Sequence, residues 1–147
     1  MYFKDDSRGF VMIKLEDSAF RRQEGGDHYT RLKIQPLEYI YANNLGFCEG
    51  NVVKYVTRWK YKNGLQDLEK SLHYVDFLIE FYNTKSIEPS IYSEPLKITP
   101  VEYIYANGLG YCEGEVITHI TQWNSVQDLM KVKHSINLLI EMETSRV

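Results

Sequence analysis

Ile34–Trp59 reads IQPLEYIYANNLGFCEGNVVKYVTRW, and Ile98–Trp123 reads ITPVEYIYANGLGYCEGEVITHITQW. The two stretches align without a gap and agree at 16 of 26 positions. A duplication inside one chain sorts its residues. Those that both copies keep serve a shared fold, and those where the copies part are candidates for work done by one copy alone. Asn51, Lys54, Tyr55 and Arg58 of the first copy are matched by Glu115, Thr118, His119 and Gln122 in the second. A polar, basic helix face has turned neutral to acidic while the apolar face persists.

Each copy reads as three helices. The first opens at Pro36 or Pro100, at a helical position where the missing N–H costs nothing. In the second copy Thr99 precedes the proline and Glu102 lies three residues on, the pattern of a capping box. Asn43-Asn44-Leu45-Gly46 and Asn107-Gly108-Leu109-Gly110 stop the helix, because Asn and Gly tolerate the left-handed C-cap conformation. A second helix is expected from about Glu49 to Lys60, burying Val52, Val53, Val56 and Trp59, with Val116, Ile117, Ile120 and Trp123 as counterparts. The third begins after Asn63-Gly64 and runs to about Tyr82, with Leu68, Leu72, Val75, Ile79 and Tyr82 as its stripe. Its partner starts at Ser125, boxed with Asp128, and buries Leu129, Val132, Ile136, Leu139 and Ile140.

Three short helices cannot cover all their apolar faces alone. The expected fold class is therefore all-α: two tandem three-helix repeats packed as a pseudo-twofold helical domain, like a homodimer joined into one chain. Residues 27–82 form the first, functional repeat and residues 98–143 the second, degenerate one. A Ser- and Pro-containing linker, 83–97, joins them, and 1–26 form an N-terminal arm. Phe10–Leu15 has the look of a short strand, but an isolated strand is marginal, so it is expected to lie on the helical body as an arm.

A length of 147 residues suits one domain or two small units sharing a core, and a net charge of −3 argues against a stable nucleic-acid complex. No run of apolar residues is long enough to span a membrane, and no secretory signal pattern opens the chain. Cys48 and Cys112 occupy the same place in the two copies. A bridge between them stays open, but twin thiols in a reducing, cytoplasmic compartment fit the pattern better. His28, His73, His119 and His134 show none of the spacings that zinc uses, so no metal site is expected. The tyrosine excess, twelve against six Phe and two Trp, suits amphipathic core edges and stacking pockets alike.

On the second helix Asn51, Lys54, Arg58 and Lys62 fall at i, i+3, i+7 and i+11, along one face. Cations in that line suit phosphate, with lysine as a point charge and arginine as a planar fork. Gly50 ahead of them would allow close backbone approach at the helix N-terminus, itself an anion site. The plainer reading is a solvated basic face. Lys70, His73 and Tyr74 sit together on the third helix. Lys131 and His134 repeat the first two, which suits a surface lysine and a histidine bonded at the repeat interface. Asp67 and Asp128 are explained by capping. Gly25-Gly26-Asp27-His28-Tyr29 has no equivalent before Ile98, and its glycine turn would set an imidazole and a phenol beside a ligand.

His28-Tyr29, Ile34 to Tyr39, the run Gly50-Asn51-x-x-Lys54-Tyr55-x-x-Arg58 with the lysines after it, and Asp67-Leu68-x-Lys70-x-x-x-Tyr74 together resemble the SaV-like family of small bacteriophage proteins. The resemblance covers about Asp27 to Tyr82. One branch of that family phosphorylates deoxynucleoside monophosphates without a Walker loop. The resemblance implies a phage origin, a nucleotide ligand in the host cytoplasm, and a site lined by His28, Tyr29, Asn51, Lys54, Tyr55, Arg58 and Lys70. The second repeat, having lost most of these, would be a degenerate partner.

Three functions follow as expectations. The first is a nucleoside monophosphate kinase-like phosphotransferase with ATP as donor. In it Lys54 and Arg58, with Lys60 or Lys62, would bind phosphates while His28 or Tyr29 orients the acceptor. The second is a non-catalytic sponge that sequesters a nucleotide signal of host defence. The third is a module that binds a host protein. Homo-oligomerisation is open in all three.

Overall fold

The computed structural model describes residues 2–5, 9–12, 18–89 and 95–146. Its body is all-helical. Helices α1 (Pro36–Ala42), α2 (Phe47–Arg58) and α3 (Leu65–Asn83) are followed by α4 (Pro100–Ala106), α5 (Tyr111–Thr121) and α6 (Val126–Ser145). Ahead of them β1 (Tyr2–Asp5) pairs antiparallel with β2 (Gly9–Met12). The expected lone strand at Phe10–Leu15 is thus the second arm of a hairpin, and its last residues, 13–15, lie outside the described residues. Pairing settles the difference, since two strands satisfy the backbone groups that one would leave to water. Within the expected linker α3 extends to Asn83, and residues 90–94 lie outside the described residues.

The helix ends follow the expected chemistry. Asn44 (φ 53°) and Gly108 (φ 60°) take the left-handed conformation at equivalent stops, so glycine in one copy and asparagine in the other do the same job. The first copy carries a capping box too, at Gln35 and Glu38. Thr99 accepts the Glu102 N–H at 3.2 Å, and Glu38 accepts the Gln35 N–H at 3.2 Å. Helix α2 does not reach Lys60 as an α-helix. It tightens at Trp59–Tyr61 into a 3₁₀ turn, and Lys62 then leaves helical geometry altogether.

Helix α2 packs on α3 and α5 on α6, and the two halves meet through α2 with α5 and α3 with α6. Tyr39 and Tyr103, both fully buried, lie ring to ring at the centre with centroids 4.4 Å apart. Their hydroxyls reach across: Tyr39 Oη lies 2.6 Å from Thr121 Oγ1, and Tyr103 Oη 2.7 Å from Thr57 Oγ1. Trp59 donates to Glu113 at 3.1 Å, and Trp123 donates to Glu49 at 3.0 Å. The Asn43 side chain bonds both backbone groups of Ile98, and that of Asn107 bonds both of Ile34. Each of these bonds in one direction has its counterpart in the other. The core seals around these pairs with Val52, Val53, Val56, Leu68, Ile117, Ile120 and Leu129, all fully buried. Cys48 and Cys112 are free and half-buried, and burial pushes both thiols up. No described helix is long and apolar enough to cross a membrane.

Candidate functional site

The first half carries a structure that the second lacks among the described residues. A 3₁₀ turn at Ala19–Arg21, capped by Ser18, leads into Gln23 and then into the glycine pair. Gly25 (φ 79°) and Gly26 (φ 133°) need the backbone that only glycine adopts freely, and they turn the chain back on itself. The turn is held by one side chain. Gln23 Oε1 accepts the Tyr29 N–H at 2.5 Å and the Thr30 N–H at 3.3 Å, while its amide nitrogen lies 2.6 Å from His28 Nδ1. His28 and Tyr29 emerge as touching rings, with centroids 4.3 Å apart.

Below them lies Arg58. It is only 9% exposed and donates to both carboxylate oxygens of the fully buried Asp67, from Nε at 3.0 Å and from Nη2 at 3.2 Å. Its Nη1 donates to Tyr29 Oη at 2.9 Å. Burial opposes the guanidinium charge, but the bonds to Asp67 and Tyr29 outweigh it and hold its pKa above the ordinary value. Burial raises the Tyr29 phenol, against the pull of Arg58. Arg58, expected as a planar fork for phosphate, has most of its donors engaged inside the protein. Asp67, read from sequence as a cap, is its counter-ion.

Two cavities flank this centre. One, of about 610 Å³, is lined by Gly25, Gly26, His28, Lys33 and Lys62, with Ala106 and Asn107 contributed by the end of α4. The second half therefore supplies part of its wall. Arg31 also lines it, paired with Asp27 at 2.7 Å. Desolvation lowers the His28 pKa, and the charges of Lys62 and Arg58 push it further down. The other cavity, of about 410 Å³, lies under the Ala19–Glu24 strap, on the side of Tyr29 and Lys54.

The remaining residues named from sequence separate into groups. Tyr55 is a hub: Lys54 Nζ, the Arg58 guanidinium and Lys70 Nζ lie 4.4, 4.8 and 5.5 Å from its ring centre, and Tyr74 stacks at 6.2 Å. Asn51 bonds back to the Phe47 carbonyl at 2.8 Å. His73 is exposed and stacked on Phe77 at 4.5 Å, so the expected bond at the repeat interface is corrected: its ring lies on the outer side of α3. His134 is likewise exposed. Lys60 points elsewhere, lying over Trp59 and 3.4 Å from Glu113. Lys62 does not continue the α2 face, because the helix has ended, yet the turn delivers it to the His28 cavity.

Gly50 serves packing instead of a ligand. A Cβ there would meet Ile40 Cγ2 at 3.1 Å, and the retained Gly114 meets Ile104 at 3.4 Å. The start of α2 is already covered, since Glu49 folds back so far that a Cβ on Gly46 would lie 2.7 Å from its Oε1. A carboxylate thus occupies the expected anion position. Sequence reading also missed Gln23 and the strap. Neither carries a motif, and their roles exist only once residues 18–29 fold over α1.

Among the described residues no group of three or more His, Cys, Asp or Glu is placed to hold a metal ion. Residues 24–76 match a family model described as a protein of unknown function, DUF3310. No curated protein and no solved structure matches the chain. The matched segment begins at the glycine turn and ends within α3, so it takes in His28, Tyr29, Lys54, Arg58 and Asp67 and none of the second half.

Proposed function

We propose that this chain is a nucleotide-binding protein with a working site in the first repeat, acting as a nucleoside monophosphate kinase-like phosphotransferase. The second repeat is its pseudo-twofold scaffold. The observation that carries the reading is the cavity of about 610 Å³ beside His28, with Lys33 and Lys62 in its wall and a glycine turn at its edge. Its volume is within the range of small-molecule sites, and its cations suit phosphate. The resemblance to the SaV-like phage family supports a nucleotide as the ligand and a deoxynucleoside monophosphate as the acceptor. Gln23 then holds the His28 imidazole and Arg58 fixes the Tyr29 ring that touches it, while Lys62 neutralises phosphate charge from the side. The reciprocal bonds of Tyr39, Tyr103, Trp59 and Trp123 support the pseudo-twofold arrangement. Ala106 and Asn107 make the scaffold a contributor to the cavity as well.

Incubation with ATP and each deoxynucleoside monophosphate, followed by chromatography of the products, tests the reading. Diphosphate formation that falls at least about tenfold in Lys62→Ala is expected, the worth of one charged hydrogen bond. Absence of both turnover and nucleotide binding removes it.

One observation favours sequestration without transfer. Arg58, the obvious stabiliser of a transferred phosphoryl group, is engaged by Asp67 and Tyr29. Tight binding of a nucleotide with no product in the same assay selects that reading, a sponge for a host defence signal.

A further inference from the structure

The cavity of about 410 Å³ under the strap differs in chemistry from its neighbour. Phe20, Pro36, Leu37 and Ile40 give it apolar walls, and Tyr29 and Lys54 close one side. It exists because residues 19–24 lie over α1. The Gln35 amide donates to the Phe20 carbonyl, which fastens the strap, and Gln23 anchors its far end on the Tyr29 and Thr30 N–H groups. In the second half Val101 and Thr118 stand where Leu37 and Lys54 stand here, and the described residues provide no such strap over α4. Among the described residues the cavity is therefore formed by the first half, like the charged residues around it.

We infer that this cavity is a second nucleotide subsite, seating a flat heterocyclic base against Phe20, Leu37 and Ile40 with the attached phosphate at Lys54. The inference rests on the reading of the His28 cavity as a nucleotide site and extends it to two nucleotides per chain. Apolar walls exclude water from the faces of a base, and a single ammonium at the edge suits one phosphate group. Arg22 and Glu24 on the strap add charges of both signs, so the anion preference comes from Lys54 on the rigid helix. The touching His28 and Tyr29 rings and Gln23 stand between the two cavities, and His28 lines one while Tyr29 lines the other. Two cavities of different chemistry are more than a one-ligand sponge needs.

The duplication supplies its own control. Leu37 is 63% exposed and its counterpart Val101 73% exposed, so tryptophan at either position leaves the core untouched. Equilibrium dialysis of the full chain with a deoxynucleoside monophosphate and a non-hydrolysable ATP analogue together should find two nucleotides bound per chain. Leu37→Trp should reduce this to one, and Val101→Trp should leave two. Lys62→Ala should weaken the remaining site of Leu37→Trp at least about tenfold, the loss expected for one charged contact. A single bound nucleotide, unchanged by Leu37→Trp and weakened by Lys62→Ala, overturns the second subsite and leaves the His28 reading standing. Binding lost in Leu37→Trp but indifferent to Lys62→Ala supports the apolar site and removes the His28 cavity. No binding at all removes both.

Discussion

Arg58 shows how much a single residue's role depends on what surrounds it. On sequence alone it is the natural phosphate fork, and its removal would weaken a ligand while sparing the fold. In the structure its loss leaves the fully buried Asp67 carboxylate without its partner, a change that costs about 3–5 kcal/mol. Urea denaturation should therefore show Arg58→Ala as strongly destabilised, whereas Gln122→Ala, at the exposed equivalent position, should shift stability by less than about 0.5 kcal/mol. Equal effects from the two would contradict the ion-pair assignment. His28 offers a second check at this scale. Desolvation, then Lys62 and Arg58, lower its pKa below the ordinary 6.5. The native state therefore resists the proton that the unfolded chain accepts. The contribution of His28 to stability is complete above the unfolded pKa and declines as pH falls below it. An NMR titration should place its midpoint below that of a free histidine. Lys62→Gln should raise that midpoint and Lys60→Gln should not, because Lys60 lies over Trp59 instead.

At the scale of elements, α2 is bonded to α4 and α5 to α1 across the two halves, and the two bonds can be compared within one molecule. Thr57 and Thr121 each hold a tyrosine of the other half while donating to a carbonyl of their own helix, Val53 at 2.7 Å and Ile117 at 2.6 Å. Tyr103→Phe removes one cross-half bond but leaves the threonine hydroxyl with a partner, so the expected cost is about 0.5–1.5 kcal/mol. Tyr39→Phe should fall in the same range, and thermal unfolding of the two variants measures both. A large difference between them would show that the two halves are not mechanically equivalent. The aromatic face of α3 follows the opposite rule. Tyr74 and Phe77 have Ser135 and Leu138 as counterparts in α6, so stacking beside Tyr55 belongs to the first half only.

For the whole molecule, each half completes the other. Trp59 and Tyr39 find buried hydrogen-bond partners across the interface, and α3 is packed along α6 with Asp76 bonded to Lys133 at 2.9 Å. Half of the chain exposes those faces and strips Trp59 and Glu49 of their cross-half bonds, a loss that a domain of this size cannot absorb. A fragment of residues 1–96 should be unfolded or self-associated by circular dichroism and sedimentation, and adding residues 97–147 should restore a folded one-to-one complex. A stable, monomeric first half would show that the second is dispensable for folding.

The sequence by itself determined the helices, their caps and the buried stripe, because these depend on local spacing: proline at N1, Asn44 and Gly108 at the stops, valine and isoleucine at helical intervals. It also located the asymmetry, since a duplicated chain carries its own comparison. It could not distinguish a cation aimed at solvent from one turned inward, for that depends on which acid the third helix brings beneath the second. Asp67 decided it for Arg58, and the 3₁₀ turn after Arg58 sent Lys60 and Lys62 to different sides. The two cavities likewise arise only from tertiary structure. They lie between the strap, α1 and the end of α4, segments distant in sequence whose meeting no local pattern encodes.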